Sequence, residues 1–167
     1  QALAMAPEIE HFAIGWLEEP IRADSSWSDW AHLAKATKLP LAAGENLRGS
    51  DFDQALASRA LRVIQPDIAK WGGFSGCLPL ARKILATGHR FCPHYLGGGM
   101  GLLASAHYLA AVGGDGLLEI DSNPNPLRSE IAGPLERIVD GWADLGSQPG
   151  LGMENPLAPL QRYLVPV

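Results

Sequence analysis

Five ionisable residues, Glu18, Glu45, Asp67, His94 and Glu119, stand at the ends of short apolar runs: GWLEEP, LPLAAGEN, LRVIQPD, HRFCPHYL and GLLEID. They follow one another at 27, 22, 27 and 25 residues. An acid or imidazole that returns at one phase of a repeating unit is what a ring of strand ends presents to a ligand. Glu18 and Glu45 offer carboxylate oxygens, which Mg²⁺ accepts together with water and substrate oxygens. Either acid alone reads more readily as a solvated loop side chain; their matched phase favours the metal. Asp67 and His94 lie on consecutive units, where a carboxylate that orients an imidazole and raises its basicity makes a general base or acid. Glu119 either hydrogen-bonds a substrate oxygen or pairs with an Arg or Lys, and both readings stand. Lys70 points into the same mouth or pairs outside it, and Glu19 reads as an outer acceptor or a helix-dipole partner. His11, His89 and His107 read as hydrogen-bonded structural histidines. The LGGGMG run from Leu96 to Gly101 fits neither GxGxxG nor a phosphate loop, and it suggests a backbone that approaches a ligand closely.

The elements that must carry these groups alternate. After the first strand, SSWSDWAHLAKATKL has a serine cap at Ser25 or Ser26 and apolar positions at helical spacing. Ser50 opens a second helix with Phe52, Ala55, Leu56 and Ala60 on one face. GFSGCLPLARKILATG is a third, stopped by Gly88, and GMGLLASAHYLAAVG a fourth. The strands are continuously apolar, as strands of a parallel sheet covered on both faces are. The expected fold class is therefore α/β, a (β/α) barrel whose strand C-termini share one mouth. A closed eight-stranded barrel takes about 250 residues, and five strand signals are present here, so the chain is read as the later part of such a barrel. Residues 1–134 form the partial barrel; residues 135–167 break the rhythm and are expected to leave it as a tail that packs on something else.

Composition narrows the classes. With 47% hydrophobic and 19% charged residues among 167, the chain is ordinary for a globular domain, which removes disordered and collagen-like readings. No apolar run approaches the roughly 18 residues of a membrane helix. The net charge of −5 carries no basic stripe, so nucleic acid is not an expected partner. Cys77 and Cys92 are too few for a disulfide scaffold and lack metal-ligand spacing, and reduced thiols in a cytoplasmic protein are expected.

Taken in order, WLEEP, AGEN, IQPDIAKWGG, CPH and LLEID resemble the enolase superfamily, and within it the mandelate racemase group. The resemblance extends over nearly the whole chain, including a PGLG tail similar to the family's return to its capping domain. It implies strands four to eight of a TIM-type (β/α)7β barrel, without the N-terminal capping domain and first strands, and a Mg²⁺ enzyme that removes the proton α to a carboxylate. By position it implies Glu18 and Glu45 as the second and third metal ligands, Asp67 and His94 as the acid/base dyad, and Glu119 as the group that hydrogen-bonds the enolate oxygen. An aspartate at position 67, where muconate-cycloisomerase-like members carry a lysine, favours the racemase-like group. The expected partner is a small carboxylate, an acid sugar or α-hydroxy acid. The expected reaction is acid-sugar dehydration, with α-hydroxy-acid racemisation or epimerisation as the alternative. A third reading is a non-catalytic barrel fragment that needs a complementing chain or its own copies, since open sheet edges favour pairing; a homo-oligomer is expected.

Overall fold

The computed structural model describes residues 1–153 and 157–165. A first helix α1 (Ala2–Ile9) leads into four strand–helix units: β1 (Leu17–Glu18) and α2 (Trp27–Ala36), β2 (Leu41–Ala43) and α3 (Asp51–Ser58), β3 (Val63–Ile64) and α4 (Gly73–Ala86), β4 (Arg90–Phe91) and α5 (Gly99–Val112). All four strands are parallel, and their order in the sheet is their order in the chain. Helices α2, α3 and α4 are therefore crossovers that return the chain to the next position along the same sheet, the arrangement of a barrel wall.

Local chemistry sets these boundaries. Ser26 caps α2 by accepting the Asp29 backbone N–H at 3.2 Å, while its hydroxyl donates to the Asp29 carboxylate at 2.7 Å. Trp30 and Leu33, three apart, then fall on one buried face. Ser50 occupies the equivalent place before α3 but makes no side-chain cap bond.

The strands are short, but their pleat decides which side chains meet the helices. Leu41, Ala43, Ile64 and Phe91 point outward into the main core with Trp30, Phe52, Ile84 and Tyr108. Their neighbours Ala42, Val63 and Cys92 point the other way and pack with Trp16 in a separate inner cluster. Apolar residues on both faces explain why the runs read as continuous rather than alternating. Tyr108 fastens α5 to α4: its hydroxyl donates to the Cys77 carbonyl at 2.8 Å, and its ring meets Phe91 edge-on at 4.6 Å.

The fifth run differs from the expectation. Gly116–Ile120 lies beside β4 without ladder bonds. Pro93 follows Cys92 and has no N–H to offer. The Leu117 N–H instead goes to Cys92 Sγ at 3.4 Å, and the Arg90 guanidinium takes the Asp115 carbonyl at 2.6 Å. The first strand is likewise shorter than its apolar run. It is an edge with a single partner, and Ile14 is exposed.

After a short helix α6 (Pro126–Ser129), Leu145, Leu151 and Met153 of the tail pack on a second cluster built from Tyr95, Leu102, Leu103 and Leu135. Further on, the Tyr163 hydroxyl and the Arg162 guanidinium both reach the Glu130 carboxylate. The rest of the predicted tail, residues 154–156 and 166–167, lies outside the described residues. Among the described residues, no helix is long and apolar enough to cross a membrane.

Candidate active site at the strand mouth

The inward phase of each strand runs on past its last ladder bond. Trp16 and Glu18 share one side of β1; Val63, Gln65 and Asp67 follow one another two apart after β3; Arg90, Cys92 and His94 do so after β4; and Leu117 and Glu119 do so on the fifth run. Glu45 departs from the alternation because of Gly44. With φ at +147°, Gly44 lies so close to the next strand that a Cβ would stand 2.7 Å from the Gln65 backbone nitrogen. Only glycine permits this approach, and the turn it makes swings Glu45 toward His94.

His94, 3% exposed, is clamped between two carboxylates: Nδ1 is 2.9 Å from Asp67 Oδ2 and Nε2 is 2.6 Å from Glu45 Oε2. A neutral imidazole has one N–H and could satisfy one of these acceptors; both are satisfied when the ring is doubly protonated. Burial alone would lower the His94 pKa, but the Asp67 hydrogen bond and the charges of Glu119 and Glu45 outweigh it and hold the pKa above its usual value. Asp67 is fixed from behind, its Oδ1 accepting the backbone N–H groups of Ala69 at 2.8 Å and Lys70 at 3.1 Å. Burial would raise its pKa; the His94 bond and these backbone donors bring it below the ordinary carboxylate range.

Lys70 is a member of this network. Its ammonium donates to Glu45 Oε2 at 2.7 Å and lies 3.9 Å from Asp67 Oδ2. Burial pushes Glu45 up, yet the Lys70 bond and the His94 and Lys70 charges leave its pKa lowered. Glu119 reaches the group from the fifth run, held by the Tyr95 backbone N–H at 3.1 Å, with Oε2 3.9 Å from His94 Nε2. Its pKa is raised, chiefly by burial.

The structure thus gathers Glu45, Asp67, His94 and Glu119, with Lys70 added. Glu18 stands apart. Its carboxylate accepts the Trp16 indole N–H at 3.0 Å and, among the described residues, makes no hydrogen bond or ion pair with the other four. It forms instead one wall of a pocket of about 230 Å³ that lies between β1 and the fifth run and is lined also by Trp16, Gln65, Cys92, Leu117 and Glu119. Glu19, just outside, adopts a left-handed φ of +37°, and both its oxygens face Asn46 Nδ2 at 3.2 and 3.3 Å. Asn46 also donates to Glu45 Oε1 at 3.2 Å, tying the two strand ends together. Burial and the nearby Glu45 charge raise the Glu19 pKa.

Three expectations need correction. The glycines of LGGGMG approach the chain itself rather than a ligand: a Cβ on Gly101 would overlap the Tyr95 ring, whose hydroxyl donates to the Gly98 carbonyl at 2.7 Å. His107 Nε2 is buried without a partner among the described residues, and His11 is exposed against Phe12. His89 is buried and hydrogen-bonded to Thr87.

No three His, Cys, Asp or Glu side chains among the described residues converge as a ready metal cage. Mg²⁺ characteristically takes one or two carboxylates and fills its other positions with water and substrate oxygens. The oxygen donors on the adjacent ends of β1 and β2 suit it in type and number. Glu45 Oε2 already attracts two cationic groups.

Residues 1–156 match the family model described as enolase C-terminal domain-like. The chain belongs to this family. A mandelate racemase/muconate lactonizing enzyme from Bordetella bronchiseptica RB50 superimposes on it with a TM-score of 0.93 and 53% identity, covering 98% of this chain and 46% of that one. The α/β fold with its parallel sheet is thus the C-terminal enolase-type domain, corresponding to the TIM-barrel part of that neighbour. A D-galactarolactone cycloisomerase from Agrobacterium fabrum is 28% identical, covering 99% of this chain and 46% of its own length. An arabinonate dehydratase from Saccharolobus solfataricus is 30% identical, covering 91% of this chain and 40% of its own length. The enolase C-terminal domain-like chain therefore spans about half the length of the curated relatives it matches.

Proposed function

We propose that this chain carries the acid/base side of an active site that removes the proton α to a sugar-acid carboxylate and expels the β hydroxyl as water. The observation that carries the reading is the His94 ring held between Asp67 and Glu45, at 2.9 and 2.6 Å. Asp67 fixes the Nδ1–H tautomer, so the other nitrogen is the one that meets substrate. As Nε2 leaves Glu45, its proton passes to solvent, and the neutral imidazole that remains, still donating Nδ1–H to Asp67, has a free Nε2 lone pair that acts as the base. Nε2 then takes the α proton, and the same nitrogen returns a proton to the departing β hydroxyl. The C–H and C–O bonds break, water leaves, and the enol that remains tautomerises to a keto acid. Lys70 steadies Glu45 and Asp67 while His94 changes charge. Glu119, anchored by the Tyr95 N–H, is within reach of a substrate oxygen beside His94.

Glu18 and Glu45 would hold Mg²⁺. When bound, the ion supplies positive charge where negative charge develops on the substrate carboxylate. Relatives that include an arabinonate dehydratase support dehydration over racemisation. The test is incubation with a panel of sugar acids, arabinonate among them, in Mg²⁺ buffer made with D₂O. A keto-acid product is expected. Deuterium uptake without keto acid would replace dehydration by racemisation or epimerisation, and neither signal with any sugar acid would refute the proposal.

A further inference from the structure

A strand alternates its side chains, so Glu18 and Glu19, neighbours at the end of β1, would ordinarily leave it on opposite faces. The backbone at Glu19 breaks that alternation. Its φ of +37° lies in the left-handed region, where glycine rests without strain and a glutamate does not. Residues other than glycine are uncommon there and concentrate where one side chain must reach one place. Here Glu18 is exposed, whereas Glu19 is half-buried and reaches just past the end of β2, where both its oxygens face Asn46 Nδ2 at 3.2 and 3.3 Å.

Asn46 passes this contact on. The same amide nitrogen stands 3.2 Å from Glu45 Oε1. The two oxygens of Glu45 thereby take different parts: Oε1 is held from outside by Asn46, and Oε2 is the one that Lys70 and His94 approach at 2.7 and 2.6 Å. A carboxylate without that outer hold can turn and exchange its oxygens, and the freedom must be given up when it binds a ligand. A carboxamide suits the task. Its NH₂ group has a hydrogen for each of two acids that would otherwise face one another as like charges, and it brings no charge of its own to compete with a cation.

We infer that Asn46, itself held by Glu19, is a positioning residue for Glu45, fixing its carboxylate with Oε2 turned into the mouth for a divalent cation. This rests on the reading above that Glu45 holds Mg²⁺. It adds the device that orients this ligand and a reason for the left-handed backbone at Glu19.

The test is Mg²⁺ titration calorimetry, with the melting temperature of each sample as the measure of stability. Asn46→Ala leaves every charge in place and is expected to weaken Mg²⁺ binding about tenfold, the scale of one hydrogen bond to a charged group. Glu19→Gly removes the side chain from a backbone that suits glycine. It is expected to lose about as much affinity while melting no lower than the parent, a separation that a purely structural role for Glu19 does not produce. Glu19→Gln keeps an oxygen that accepts from Asn46 and loses only the charge, and it should stay within about threefold of the parent. The double variant Asn46→Ala with Glu19→Gly should bind within about threefold of Asn46→Ala alone, since the two residues act through one contact. Unchanged affinity in Asn46→Ala overturns the inference and leaves the metal reading standing. So does Glu19→Gln binding as weakly as Glu19→Gly, which assigns the effect to charge alone, or a double variant whose losses multiply. A parent that binds no Mg²⁺ overturns both.

Discussion

Asp67→Asn is the most informative single change because the structure separates the two oxygens of Asp67. Oδ1 accepts both backbone N–H groups, from Ala69 and Lys70, while Oδ2 faces His94. An asparagine keeps Oδ1 and its two bonds and turns an NH₂ group toward His94 Nδ1. Two donors cannot share that contact, so His94 must surrender the Nδ1 proton and keep only the Nε2–H that points at Glu45. A hydrogen bond to a charged group is lost, worth about 1.5–3 kcal/mol, and urea unfolding at pH 7 should show a loss of that size. Asp67→Ala also orphans the two backbone donors and should lose about 1–3 kcal/mol more. The pH dependence has a definite sign. The folded-state pKa of Asp67 lies below its unfolded value, so its stabilisation is present above the unfolded pKa of about 3.9 and is lost as pH falls through the lower folded value; the Asn variant should lack this acid limb. Nitrogen-15 shifts of the His94 ring should report two protonated nitrogens in the parent and one in Asp67→Asn. Unchanged ring shifts, together with a stability change under about 0.5 kcal/mol, would refute the reasoning.

Gly44→Ala should drive the Gln65 backbone away and displace Glu45, costing about 1–3 kcal/mol and lowering Tm by several degrees in thermal unfolding. His89, held neutral by burial with the Arg59 and Arg62 charges acting in the same direction, has a lowered pKa. Its contribution is therefore present above about pH 6.5 and is lost as pH falls through the lower folded value, and His89→Gln should flatten that part of the stability profile. Tyr108→Phe leaves the Cys77 carbonyl without its donor and should cost about 1 kcal/mol by urea unfolding while leaving ligand binding unchanged. Native mass spectrometry should show assemblies larger than the 17.8 kDa chain, since the fifth run exposes Leu117 and Ile120 and β1 is an open sheet edge; a single monomeric species would count against it.

What the sequence disclosed about this site follows from what a linear pattern can carry. The recurrence of Glu45, Asp67, His94 and Glu119 at strand ends is visible because one strand–helix unit has a nearly constant length, and the parallel sheet brings equal phases together. Helix limits at Ser26 and Gly88 were legible because capping and left-handed glycine are local chemistry. The apolar run at 116–120 reads as a strand because apolar character alone does not show that the facing backbone, after Cys92, is a proline with no N–H. The pattern alone does not place Lys70, because its partner Glu45 lies 25 residues earlier, nor does it mark Asn46, which joins its neighbour Glu45 to Glu19, 27 residues earlier.

The central claim is that His94, oriented by Asp67, moves the α proton. The direct measurement is the rate of α-deuterium incorporation into sugar acids, arabinonate first, from D₂O with Mg²⁺ present, for the parent and for His94→Asn. The account predicts exchange or turnover in the parent and a fall of about 10²- to 10⁴-fold in the variant, with circular dichroism unchanged. Exchange at the parental rate in His94→Asn would contradict it.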